Sequence, residues 1–194
     1  MIHTGYIIEN PRTHSRVTVL ESDVETGGRG WLLEHVYPPH ATPDIPEHLH
    51  LTWTETFEIV SGTATYKLDG VTKTANAGET IVMPPGVPHI HPWNASDAEM
   101  ICRQRDDFGE TNPQAVQDVL GVFATTADLA RAGLCDKDGK PRNPLQLAVT
   151  VKTLARYGGY DASIPIPVQN FLAATLGTLG EALGYKAVNP KYLQ

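Results

Sequence analysis

The periodicity of this chain changes once, and that change limits what it can fold into. Up to about Arg105, apolar residues come in short β-favourable runs set off by glycine and proline, at 16–20, 31–37, 55–68, 71–74, 80–83, 89–93 and 98–105. Branched and aromatic side chains suit a pleated surface, and many such runs with turn residues between them close into a sandwich or barrel. Gly27-Gly28 turns the chain between the first two runs, Gly62 marks a bend, and Asp69-Gly70 is a tight-hairpin signal.

After Phe108-Gly109 the spacing becomes helical. Asn112-Pro113 and Asn143-Pro144 each pair a capping side chain with a proline that fits the first helical turn. Val116, Val119, Leu120 and Phe123 recur on one helical face, as do Leu147, Val151 and Leu154. A short helix over 126–132, ended by Gly133, is expected between them. Pro167 opens a last helix whose Leu172, Leu176, Leu179 and Leu183 form an apolar stripe. Gly177, Gly180 and Gly184 weaken that helix, so a close approach to a neighbour is expected to compensate. The reading is a mainly β unit over residues 1–108 and an all-helical extension over 109–194, packed on the β unit or on a second subunit.

Charge and cysteine usage bound the partners. A formal net charge of -7, with no Lys/Arg run, offers no basic face to a phosphate backbone, so no nucleic-acid partner is expected. Cys102 and Cys135 stand alone, outside any C-x-x-C, which fits reduced thiols in a cytoplasmic protein. Met1-Ile2-His3-Thr4-Gly5 lacks the basic start and apolar run of a secretory signal, and no segment reaches the ~18 apolar residues of a membrane span.

The chemistry concentrates in His48-Leu49-His50, Glu55 and His89. Alternate residues on a strand share a face, so His48 and His50 can aim two imidazoles at one point. Glu55 lies an odd number of residues further on, so a turn or bulge about Thr52-Trp53-Thr54 must intervene before it can join them. Imidazole nitrogen with carboxylate oxygen suits Fe, Mn, Ni, Cu or Zn rather than thiophilic ions.

His48-X-His50, Glu55 and Gly62 form a run that resembles the first motif of the cupin superfamily, and Gly78, Pro84-Pro85-Gly86 and His89 resemble the second. Two departures stand out. The opening glycine of the first motif is missing, since Thr42-Pro43-Asp44-Ile45-Pro46-Glu47 precedes His48. The closing asparagine of the second comes one residue late, with Trp93 in its place and Asn94 following, which predicts a bulge near His91-Pro92. The resemblance implies a jelly-roll β-barrel, here followed by an α-helical C-terminal extension, with a metal held inside by His48, His50, Glu55 and His89. It implies one divalent transition metal per chain, Fe(II) foremost, with Mn, Ni, Cu or Zn as alternatives. Four protein ligands leave two positions open on a six-coordinate ion, where a small substrate can meet O2 or water. The ligand set resembles that of flavonol, acireductone and oxalate-type cupins, which implies a dioxygenase-like oxidoreductase acting on a small chelating molecule. A non-redox lyase or isomerase and a non-catalytic small-molecule-binding cupin are the alternatives.

Strand parity then names the pocket. Phe57 and Ile59 share a face with Glu55, His91 and Trp93 share one with His89, and His35 and Tyr37 face the same way on a neighbouring strand. Glu55 and His91 are the catalytic candidates: the carboxylate as a ligand able to accept a proton, the imidazole as a base or a donor behind the ligands. If the bulge at Pro92 turns His91 outward, it is a rim residue instead. Arg103 and Arg105, alternating with Cys102 and Gln104, read as an outward pair. Strand edges and the leucine stripe lead us to expect a homodimer.

Overall fold

The computed structural model describes residues 1–193. Ten strands come first: β1 (Ile7–Glu9), β2 (Arg16–Glu21), β3 (Gly30–Tyr37), β4 (His48–His50), β5 (Thr54–Ser61), β6 (Thr63–Leu68), β7 (Val71–Asn76), β8 (Thr80–Met83), β9 (His89–Trp93) and β10 (Met100–Asp107). Helices α1 (Pro113–Arg131) and α2 (Pro144–Arg156) follow, then β11 (Gly159–Asp161) and α3 (Ile166–Leu172), which continues through a π-helical segment (Ala173–Gly177) into α4 (Thr178–Ala182). The strands form two antiparallel sheets, in the orders β1-β2-β3-β10-β5-β8 and β11-β4-β9-β6-β7. This is a jelly-roll barrel with a helical extension: the strand runs imply a sandwich or barrel, and the cupin resemblance implies this form of it.

Alternation along β3 explains how the two parts join. Trp31, Leu33, His35 and Tyr37 are buried, while Leu32, Glu34 and Val36 between them are part-exposed. At one end of this inward row, Tyr37 packs with Phe57, Ile59, Met100 and Cys102 between the two sheets. At the other end, Trp31 and Leu33 pack with Val19 and Phe108 against Val116, Val119 and Leu120 of α1. The helix therefore covers the part of the first sheet that the second sheet leaves open. Burying a side chain of this class contributes roughly 1.5–3 kcal/mol before the entropy of ordering it is subtracted.

Both helix starts follow the capping signals. Asn112 accepts the Ala115 N–H at 3.0 Å, and Asn143 accepts those of Leu145 and Gln146 at 2.9 and 3.1 Å. The expected separate helix over 126–132 is instead the last part of α1, because neither glycine nor proline falls between Phe123 and Gly133, whose φ of +72° ends the helix.

Two further expectations are corrected. The extension is not all helical, since β11 pairs with β4 in the register Gly159↔His50, Tyr160↔Leu49 and Asp161↔His48. Three residues carry no periodic signal of their own; the strand exists because β4 has an edge to satisfy. The stripe Leu172, Leu176, Leu179 and Leu183 does not pack on the barrel but stays 36–62 % exposed. Ala173, Gly177 and Gly180 are buried instead. A Cβ at Gly177 would stand 3.1 Å from the Ala148 carbonyl oxygen, and one at Gly180 2.8 Å from Val149 Cγ1, so the close approach is to α2. Gly184 differs, serving as a left-handed stop with φ +90°. Among the described residues, no helix is long and apolar enough to cross a membrane.

Candidate metal centre

β4 and β9 lie side by side with His48 opposite His89, and the turn through Thr52-Trp53 returns the chain so that Glu55 faces both. Three imidazoles are oriented by backbone carbonyls. Nδ1 of His48 lies 2.9 Å from the Pro46 oxygen, that of His50 2.9 Å from Trp53, and that of His89 2.8 Å from Val87. A carbonyl oxygen only accepts, so each ring carries its proton on Nδ1 and leaves Nε2 bare.

Two of those bare nitrogens point at Glu55. Nε2 of His50 and His89 lie 3.2 and 3.3 Å from Glu55 Oε2, yet both are buried without a hydrogen-bond partner. Lone pairs facing a carboxylate repel unless a cation sits between them, so this donor set fits a metal ion. His48, Glu55, His89 and His91 each place a ligand atom within 4.8 Å of the others, a group that can hold a metal. His91 differs from the other three histidines, because its Nε2–H donates to Glu55 Oε2 at 2.8 Å.

The bulge near His91-Pro92 is present. The β6–β9 ladder shifts between Thr65 and Lys67, so two residues of β9 oppose one of β6. It leaves the His91 ring buried, stacked parallel to His89 with centroids 5.7 Å apart. The late asparagine, Asn94, is buried and ties this strand end to the carbonyls of Pro38 and Ala98.

Glu55 organises the charges. Burial alone would raise its carboxyl, but His91, through its charge and its hydrogen bond, overcomes this and holds it well below the usual range. Burial pulls His91 down against the attraction of Glu55, and drives His48 well below an ordinary histidine with help from His91 and His89. Asp106, opposite Glu55 on β10, moves well above the carboxylate range through burial and then through the charge of Glu55. Gln104 bridges the two carboxyls, donating to Glu55 Oε1 at 3.3 Å and Asp106 Oδ1 at 2.8 Å. Its own Oε1 accepts from His35 Nε2 at 2.9 Å, which leaves His35 Nδ1 to accept the Tyr37 hydroxyl at 3.3 Å. Burial pushes His35 down to about 4.

A cavity of about 270 Å³ opens from this centre toward the helices. His35, Tyr37, His48, Glu55 and His91 line it. Phe57 lies instead in the barrel core, its ring 4.9 Å from that of His91, and Ile59 is fully buried there. Trp93 is part-exposed and lies away from the cavity lining. Arg103 and Arg105 do point outward, to Glu34 and Glu21. That parity was the available signal for Gln104 and Asp106, the inward residues missed in the sequence. Trp53, stacked on His50 at 4.3 Å, had no such signal because it sits in a turn.

Residues 33–102 match the family model Cupin_2, a cupin domain. No curated protein matches the chain. Among solved structures, a predicted oxalate decarboxylase from Thermotoga maritima is 17% identical, with 55% of this chain and 93% of that one covered at a TM-score of 0.48. An RmlC-like cupin from Shewanella frigidimarina is 17% identical, with 56% and 92% covered at a TM-score of 0.42. The Cupin_2 domain of an XRE family transcriptional regulator from Enterobacter cloacae is 17% identical, with 48% and 96% covered at 0.42. None of the three supports a statement about activity. The matched segment spans β-strands of both sheets and contains both histidine motifs, and residues 33–102 of the chain are a cupin domain.

Proposed function

We propose that this chain is a metal-dependent oxidoreductase of dioxygenase type acting on a small organic molecule that chelates through oxygen. The observation that carries the reading is the pair of partnerless Nε2 atoms of His50 and His89 facing Glu55 beside a cavity. His48, His50, Glu55 and His89 would hold one divalent transition metal, Fe(II) foremost, because their donors are imidazole nitrogen and carboxylate oxygen. Such an ion supplies Lewis-acid polarisation and, as iron, one-electron chemistry with O2.

The chain's own groups do the rest. Gln104 fixes Glu55 from behind, so that only Oε2 turns toward the imidazoles. His91, with Nε2–H on Glu55, can pass a proton between that carboxylate and a bound molecule. Burial of the whole group excludes water and strengthens each of these interactions. The same hydrogen-bonded pair favours one second reading, a non-redox isomerase or lyase in which Glu55 and His91 move a proton.

Metal analysis of His48→Ala, His50→Ala and His89→Ala tests the centre. A sharp loss of metal from a folded barrel is expected, and stoichiometric metal in all three removes the proposal. Oxygen uptake with enolic, catecholic and keto-acid substrates separates the two readings, since anaerobic turnover favours the second. His91→Gln should keep its metal and lower turnover by about 10² to 10⁴; unchanged turnover takes His91 out of the chemistry. The exposed leucines of α3 and α4 support a homodimer, which sedimentation checks and a monomer at every concentration rejects.

A further inference from the structure

The cavity beside the metal centre has two chemically different ends. At one stand His48, Glu55, His91 and the Gln104–His35 pair. The other is walled by Trp31 and Leu33 of the sheet and by Phe123, Leu147, Val151 and Leu154 of α1 and α2. The four helix residues are only partly buried even though they line this inward cavity. A concave, mostly apolar space beside a few convergent polar groups has the form of a small-molecule site. Trp31 Nε1 is likewise buried without a hydrogen-bond partner, a donor left for an acceptor not supplied by the chain. A run of ring contacts connects the two ends: His50 on Trp53 at 4.3 Å, Trp53 on Phe108 at 5.2 Å, Phe108 on Trp31 at 5.4 Å and Trp31 on Phe123 at 6.2 Å.

We propose that the helical extension forms the half of the site that selects the substrate, and that the substrate is amphiphilic. Its chelating oxygen head lies against His48, Glu55 and His91, and an alkyl or aryl body fills the space between β3, α1 and α2. At about 270 Å³ the cavity takes a head and a short body, near the lower end of the range for small-molecule sites. The inference rests on the metal reading for the head alone; the body is assigned by the apolar wall.

The test is a titration of the full-length, metal-bearing protein with straight-chain alkylhydroxamates from acetohydroxamate to octanohydroxamate, with metal content checked afterwards. The matching alkylamides, which lack the chelating hydroxyl, form a parallel series. Affinity should rise about fourfold per methylene while the chain enters the apolar end, then level off. Ala130→Leu, on the α1 wall, should bring the plateau to a shorter chain, and Val151→Thr should flatten the rise. Affinity independent of chain length overturns the proposal, as does a rise that neither substitution changes. Equal affinities for hydroxamates and amides with the rise intact would sink the metal reading and leave the apolar wall standing. A hydroxamate advantage with no rise would do the reverse.

Discussion

The two ends of the first sheet's inner face carry the same alternating pattern and are covered by different partners. Around Tyr37, Phe57 and Ile59 the cover is a second sheet; around Trp31, Leu33 and Val19 it is α1, the helix that follows β10. Between them the inward positions are polar, with His35, Gln104, Glu55 and Asp106 on three neighbouring strands. The difference teaches where a barrel can place chemistry. Neither cover packs tightly at the junction, so charged groups survive there if they satisfy one another, and a cavity remains beside them.

The strongest way to break this comparison is to remove one cover. A chain ended at Thr111 exposes Trp31, Leu33 and Phe108, and it should aggregate or bind hydrophobic dyes. A monodisperse truncated barrel that binds metal would show that the helical cover is an accessory.

Trp31→Ala is a gentler probe of the same end. It should cost about 3–5 kcal/mol in chemical denaturation, the usual range for emptying a large aromatic site. Metal stoichiometry should hold, because the ligands lie at the junction, outside the apolar cluster around Trp31; loss of metal in step with stability would merge junction and cluster into one unit.

The smallest effect concerns the link between the covers. Lys140 donates to Asp161 at 2.5 Å, joining the α1–α2 loop to β11. Burial would raise the Asp161 carboxyl, but Lys140 and Ser163 outweigh it and hold it below the ordinary value. A lowered folded value means that the stabilisation is fully present above the unfolded carboxylate range and is lost as pH falls through the lower folded value. Asp161→Asn should therefore cost on the order of 1 kcal/mol at pH 7, a gap that narrows as pH falls below about 4 and is clearly smaller at about pH 2. Urea midpoints of both proteins at the two pH values check this, and an equal gap at both would discard the link.

Much of this arrangement could be read before any coordinates. Alternation along β3 and the paired histidine motifs located the inward faces and the ring of imidazoles, because period-two burial and motif spacing are local properties. Asp69 and Gly70, both at positive φ, formed the tight hairpin that their residue types require. What escaped depends on distant chain. The strand at Gly159–Asp161 is created by β4. The leucines of α3 and α4 resembled a core face, yet the small residues won the contact, because backbone approach to α2 at Ala148 and Leu145 leaves no room for a side chain. The apolar wall of the cavity was legible only as two helical stripes, with no sign of what they would face.

The pairing of β4 with β11 has a consequence in time. The strand that bears His48 and His50 leaves the ribosome about a hundred residues ahead of β11, and its outer edge stays unpaired until then. Closing so long a loop is entropically slow, and synthesis at ~5–20 residues per second sets the earliest moment at which it can happen. The histidine edge of this barrel thus gains its outer neighbour only after the ten other strands have been made, and a nascent chain arrested before Gly159 carries both imidazoles on an open strand.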